Sequence, residues 1–347
     1  MRAILQALRS PRALTSGRLL ATWGVVVYLD RPMTSTGPNG EPVIAVAGAA
    51  AVDMTLRQPP RDWIGQVGHD VFAKLHRLEA PLEAGLGGNG AAAAYVLGKL
   101  GMTVLLNASI SDDPTGQLIR GWLDDAGVRC IAAPAESDMV SITAADADGK
   151  RLGTLQHPGS DVDWCLSAGP SEATWLLIGV HAQVGESELP QVRAALKGFR
   201  GRGRTVLDSG VGWTQDVKPE QLQELWAEVD LLIGTAEELA HWTGCEEPEA
   251  IAECVLGKGP SQVAVKMGAD GAAYQSHDLP FEHQPACPVA RSDVSIGAGD
   301  AFNGGLIAAL ARGVALPASV AQAQQTAARV VATGRGVLGW GQTASGS

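Results

Sequence analysis

From Val43 almost to the end of the chain, short apolar runs alternate with stretches of helical periodicity. A chain patterned this way builds βαβ units on a parallel sheet. The strand candidates are residues 43–47, 103–110, 175–181, 205–208, 230–234 and 262–267. Between and after them, residues 90–100, 116–126, 188–198, 219–229, 300–312 and 317–333 carry the helical pattern. Two segments, 54–58 and 141–155, instead alternate polar and apolar residues. The second contains the turn Ala147-Asp148-Gly149-Lys150 and reads as a hairpin that projects from the sheet as a flap. No internal repeat or low-complexity linker divides the chain, so one main domain with a small β flap is the economical architecture.

The 347 residues, 46% of them hydrophobic, suffice for a large core, although length alone admits one domain or two. A formal net charge of −11 argues against a nucleic-acid partner, because backbone binding needs clustered Lys and Arg. It leaves room for a nucleotide held by backbone N–H groups and a metal. Cys130, Cys165, Cys245, Cys254 and Cys287 are scattered without a CxxC pair, so neither a zinc site nor a disulfide framework is expected, and a cytoplasmic location is. Residues 1–42 differ in character: Arg2, Arg9, Arg12 and Arg18 precede the first acid, Asp30, and the apolar run 19–29 is too short to span a bilayer. A flexible extension, with no membrane partner, is the expectation there.

The sharpest motif is Gly297-Ala298-Gly299-Asp300-Ala301-Phe302, opening a helix of small apolar residues. Glycines allow a tight turn, and successive N–H groups at a helix N-terminus make an anion site. Asp300 can serve there in two ways, as the helix N-cap or as an acceptor for the proton of an attacking hydroxyl. The run Gly85-Leu86-Gly87-Gly88-Asn89-Gly90 formally fits the dinucleotide fingerprint. The preceding residues 76–84 are charged and contain proline, which does not suit the buried strand that fingerprint requires. A glycine turn that admits a ligand to the backbone fits better. Asp53 follows the first strand and can accept hydrogen bonds from sugar hydroxyls, or be a surface loop acid. Glu237 and Glu238, at a strand-to-helix turn, can hold Mg²⁺ through water or complement the helix dipole. The triplet Asn107-Ala108-Ser109 falls on an expected buried strand, and no HExxH or GxSxG motif supports a zinc or serine hydrolase.

Taken in order, Asp53, Gly87-Gly88, Ser111-Asp112-Asp113-Pro114-Thr115-Gly116, Asp208, Thr235 to Glu238, Gly268-Ala269-Asp270-Gly271 and Gly297 to Asp300 resemble the pfkB carbohydrate kinase family. The resemblance covers residues 43–347. It implies an α/β fold of the ribokinase-like three-layer α/β/α kind, with a mostly parallel central sheet and a small β lid near residues 54–70 and 141–155. It further implies ATP with Mg²⁺, room for a monovalent cation, and transfer of the γ-phosphoryl group to a hydroxyl of a small carbohydrate. Carried across, Asp300 would be the general base and the amides of Gly297, Ala298 and Gly299 the anion hole. Asp53, Gly87, Gly88 and Asn89 would contact the acceptor, and Glu238 would place Mg²⁺. Ser295, Lys266, Gly268, Asp270 and Gly271 would lie beside the nucleotide. Lids of relatives sometimes pair between subunits, which makes a homodimer an expectation.

The chain departs from the family pattern at several points. Val294-Ser295-Ile296 replaces the usual Asp-Thr before the glycine turn, with an acid displaced to Asp293; Thr235 stands for a metal-associated asparagine, Ala92 for a common asparagine, and Lys266 for a nucleotide-side threonine. Two further readings therefore stand beside the sugar kinase: a nucleoside kinase of the same fold, and a catalytically weak kinase-fold protein that binds or regulates. Arg151 or His157 could meet an anionic acceptor, and Trp63 or Trp213 could stack on a ring.

Overall fold

The computed structural model describes residues 41–57, 82–146, 151–179, 184–210, 217–289 and 296–340, all within one compact unit spanning Ser35–Ser347. Outside the described residues lie 1–40 of the basic extension, Trp63, Trp213, Ser295, the turn at 147–150 and positions 58–70 of the first expected lid segment.

The first strand, β1 (Val43–Ala47), shows why the sheet is buried on both sides. Ile44 and Val46 enter one hydrophobic core, while Val43, Ala45 and Ala47 enter the other. Such a strand needs an unbroken apolar run, which is what the sequence carries. It pairs in parallel with β4 (Thr103–Asn107) and with β8 (Trp175–Gly179). Beyond β8 the sheet continues through β9 (Arg204–Asp208), β10 (Leu231–Thr235) and β11 (Gln262–Lys266), all parallel. The antiparallel strands β12 (Ala272–Ser276) and β13 (Leu279–Gln284) finish that edge, and β5 (Arg129–Cys130) finishes the other. The order β13-β12-β11-β10-β9-β8-β1-β4-β5 makes nine strands.

Helices cover both faces, giving three layers. One face carries α1 (Asn89–Lys99), α2 (Pro114–Asp125), α7 (Ala298–Ala311) and α8 (Leu316–Thr333). The other carries α3 (Leu189–Phe199), α4 (Pro219–Trp226), α5 (Ala236–Thr243) and α6 (Pro248–Leu256). The small residues of α7 let it pack tightly between its neighbours. A Cβ added to Gly304 would lie 2.9 Å from Val96 Cγ1 of α1, and one added to Gly305 would lie 2.7 Å from Thr326 Oγ1 of α8.

A second, four-stranded sheet has the order β3-β2-β6-β7, built from β2 (Ala51–Arg57), β3 (Glu83–Gly87), β6 (Met139–Ala145) and β7 (Arg151–His157). The pair expected near 141–155 is present as β6 and β7, but it is half of a larger sheet in which β2 joins β6 in parallel. Glu83–Gly87 is a strand despite its charge, because it sits at an exposed edge, antiparallel to β2. It is therefore no buried strand of a dinucleotide-binding unit. Asp53, expected just past the first strand, lies within β2, opposite Gly85 and Ser141.

Candidate active site

The carboxyl ends of β9, β10 and β11 lie side by side. Register places Asp208 beside Ile233, and Thr235 beside Lys266. In open α/β sheets that is where ligands bind. The N-terminus of α7 comes to the same place, since Lys266 reaches both Asp208 and Asn303, the sixth residue of α7.

Gly297 is the N-cap of α7, with φ of 78°, a left-handed conformation that suits glycine. Ala298, Gly299 and Asp300 then form the first turn, whose N–H groups have no intrahelical acceptor and no capping side chain. Asp300 is consequently not the cap: it is the third helical residue, and its carboxyl is available for another purpose. Burial is the main force on it, pushing its pKa up to about 7, with Asp208, Asp53 and Glu238 adding to the rise and Lys266 opposing it. A carboxyl near neutrality is suited to accept a proton.

Lys266, Asp208 and Asn303 form a closed network. Lys266 Nζ donates to Asp208 Oδ1 at 3.2 Å and to Asn303 Oδ1 at 3.4 Å, and Asn303 Nδ2 donates to Asp208 Oδ2 at 2.8 Å. The Lys266 and Asp208 side chains are 12% and 7% exposed, so this is a buried ion pair with both partners further hydrogen-bonded. Burial works against the ammonium, yet the charges of Asp208, Glu238 and Asp300 outweigh it and raise the Lys266 pKa. Lys266, expected beside the nucleotide, is thus engaged within the protein. Asn303 escaped the sequence reading, although a buried amide among alanines and glycines was a usable signal.

Around Asp53, a Cβ added to Gly87 would overlap the carboxylate, so glycine there leaves room for the acid. Gly88 caps α1 with φ of 77°, and a side chain there would overlap the Ala49 carbonyl. Asn89 packs against the ends of β1 and β8: a Cβ on Gly179 would lie 2.9 Å from its Cγ, and its buried Oδ1 has no hydrogen-bond partner. Further along, Asp113 caps α2 through Thr115 and Gly116, and Ser111 is held by the buried Asp138.

Glu238 and Thr235 form a reciprocal capping box at α5. Thr235 N donates to Glu238 Oε2 at 2.8 Å, and Glu238 N donates to Thr235 Oγ1 at 3.2 Å. Among the described residues no cluster of three or more His, Cys, Asp or Glu could cage a metal. Around the 3₁₀ turn Gly268–Asp270, Gly268 has open space at its Cα and Asp270 is exposed. Gly271 is needed for packing, because a Cβ there would overlap the carbonyl of Gln284 on β13. The cysteines of the sequence are free thiols, and no helix among the described residues is long and apolar enough to cross a membrane.

The family model "pfkB family carbohydrate kinase" matches residues 204–338, which hold Asp208, Lys266 and the glycine turn. Aminoimidazole riboside kinase of Salmonella typhimurium is 28% identical over 240 residues, covering 65% of this chain and 74% of that protein. 2-Dehydro-3-deoxygluconokinase of Bacillus subtilis is 24% identical over 274 residues, covering 70% and 79%. The structure of Arabidopsis thaliana ribokinase complexed with ribose and ATP superposes with a TM-score of 0.67 at 22% identity, covering 86% of this chain and 95% of that one. The chain thus has a ribokinase-like fold, is similar over residues 204–338 to the pfkB family of carbohydrate kinases, and is a phosphotransferase with an alcohol group as acceptor.

Proposed function

We propose that this protein transfers the γ-phosphoryl group of ATP to a hydroxyl of a small sugar, with Asp300 as general base. The observation that carries the reading is the placement of Asp300 in the first turn of α7, directly after the glycine turn, with a pKa near 7. Asp300 takes the proton of the attacking hydroxyl as the oxygen engages phosphorus. The open amides of the first turn then face the negative charge spread over the transferred oxygens, fixed in advance by the helix. Asp53, backed by Gly87, orients the acceptor by taking hydrogen bonds from its other hydroxyls, with Gly88 and Asn89 shaping the same wall. Gly268 and Asp270 border the nucleotide. Magnesium would screen the phosphate charge, with Glu238 as the residue that would place it through water. The four-stranded sheet acts as the lid, and a homodimer through it and a cytoplasmic location complete the reading.

A nucleoside acceptor is the second reading, favoured by the similarity to a riboside kinase. Both are tested by ADP release from ATP and Mg²⁺ across ketoses, aldoses, sugar acids and nucleosides, with Asp300→Asn beside the parent. We expect one acceptor class to drive ADP release, and the variant to lose about 10²–10⁴-fold in kcat. Ligand-induced thermal stabilisation without ADP in the parent would instead identify a binding protein.

A further inference from the structure

Three carboxylates contributed by different elements act on Asp300 through their charge: Asp208 on β9, Asp53 on β2 and Glu238 on α5. Lys266, on β11, is the cation that acts on Asp300 among the described residues. Its position is not left to a flexible side chain. Asp208 and Asn303 each accept from its ammonium, and Asn303 also donates to Asp208, so three residues on two strands and a helix close a ring. Asn303 is 1% exposed and lies one turn after Asp300 on the same face of α7. Gly299 completes the arrangement. A Cβ at that position would lie 3.7 Å from Lys266 Nζ, so the ammonium rests directly against the glycine turn.

Resting on the reading of Asp300 as base, we propose that Lys266 is a positioning residue: locked by Asp208 and Asn303 beneath the first turn of α7, it is the counter-charge that keeps Asp300 anionic and able to accept a proton. Among the described residues, loss of that cation would leave the carboxyl under the charges of Asp208, Asp53 and Glu238, and ionising it would be harder. In that role Lys266 differs from a group that touches the transferred phosphoryl. A phosphoryl contact would be missed at every pH; a counter-charge is missed chiefly where Asp300 has become protonated.

The direct test needs no acceptor. Carboxyl ¹³C NMR of aspartate-labelled protein, with Asp300→Asn assigning the signal, follows the Asp300 titration in the parent, Lys266→Met and Lys266→Arg. We expect the midpoint to rise by about one to two pH units in Lys266→Met, given a unit charge at close range in a partly screened site. Lys266→Arg should keep the parent midpoint. An unmoved midpoint in Lys266→Met would overturn the proposal. Because removing one partner of a buried pair can unfold a protein, Lys266→Met/Asp208→Asn is compared with Asp208→Asn alone. A higher midpoint in the double variant supports the proposal, and equal midpoints refute it. Kinetics with the best acceptor of the panel then link the titration to turnover. The acid limb of kcat should move with the NMR midpoint, and kcat of Lys266→Met should recover at alkaline pH. A loss of equal size at all pH values would make Lys266 a phosphoryl contact instead. If Asp300→Asn keeps the parent kcat, the base reading itself fails, an outcome distinct from an unmoved midpoint.

Discussion

Replacing Asp300 by asparagine should stabilise the ligand-free protein at alkaline pH while removing its turnover. A carboxyl whose pKa is raised in the folded state to about 7 from its ordinary 3.8 is harder to ionise there than in the unfolded chain. Its cost to folding is absent below the ordinary value, grows as pH rises between the two, and is complete above about 7. At about 1.4 kcal/mol for each pH unit the ceiling is about 4 kcal/mol, and partial solvent contact of the side chain brings a realistic figure to about 2 kcal/mol. Asparagine keeps the shape and cannot ionise. For a domain of this size, about 2 kcal/mol corresponds to roughly 3–6 °C in Tm. Thermal unfolding of parent and variant, followed by circular dichroism at pH 4.5 and pH 8.5, should show nearly equal Tm values at the acid end and a gain for Asp300→Asn at the alkaline end. The same Tm difference at both pH values, or a less stable variant at pH 8.5, would refute the electrostatic account of this site.

Gly87→Ala should push the Asp53 carboxylate aside, so the acceptor KM should rise about tenfold or more while the ATP KM stays near the parent value, as steady-state kinetics would show. The capping box at α5 separates two roles of one residue. Glu238→Gln keeps a side-chain acceptor for Thr235 N and should leave Tm unchanged while raising the Mg²⁺ concentration needed for half-maximal rate. Thr235→Ala should instead cost about 1 kcal/mol of stability, measurable by urea unfolding.

The central sheet was legible because strands buried on both faces carry apolar runs, unbroken in β1 and β8 and shorter, flanked by polar residues, in β4 and β9 to β11. Strand β3 hid because an exposed edge tolerates Glu83 and a glycine-rich finish, which look like loop. The parallel join of β2 to β6 hid for a different reason: nothing local announces a pairing of Asp53 with Ser141. In the site, the glycine turn and Asp300 were readable, since backbone shape and charge there are set by neighbours in sequence. The role of Asp300 as a helical residue rather than a cap required the start of α7 at Ala298, ahead of the expected start at residue 300. The Lys266, Asp208 and Asn303 ring joins positions 58, 37 and 95 apart, so only folding could reveal it.

The way the small sheet is attached has a mechanical side. Its strands meet the rest of the chain at one end, where Ala51 stands level with both Gly87 and Met139 and His157 lies beside Val140. The connection from β1 to β2 is three residues, Gly48 to Ala50, and that from β3 to α1 is Gly88 alone. Among the described residues that row is the join between the small sheet and the rest of the chain, and it serves as the axis for a swing of the sheet as a body. At about 3.3 Å per residue, Asp53 is about 7 Å from the axis and Arg57 about 20 Å. A rotation of about 10° would then carry Arg57 through about 3.5 Å and Asp53 through only about 1 Å. The paddle is a lever with Asp53 near the fulcrum, so the far ends of its strands can travel several ångströms while that carboxylate stays nearly still.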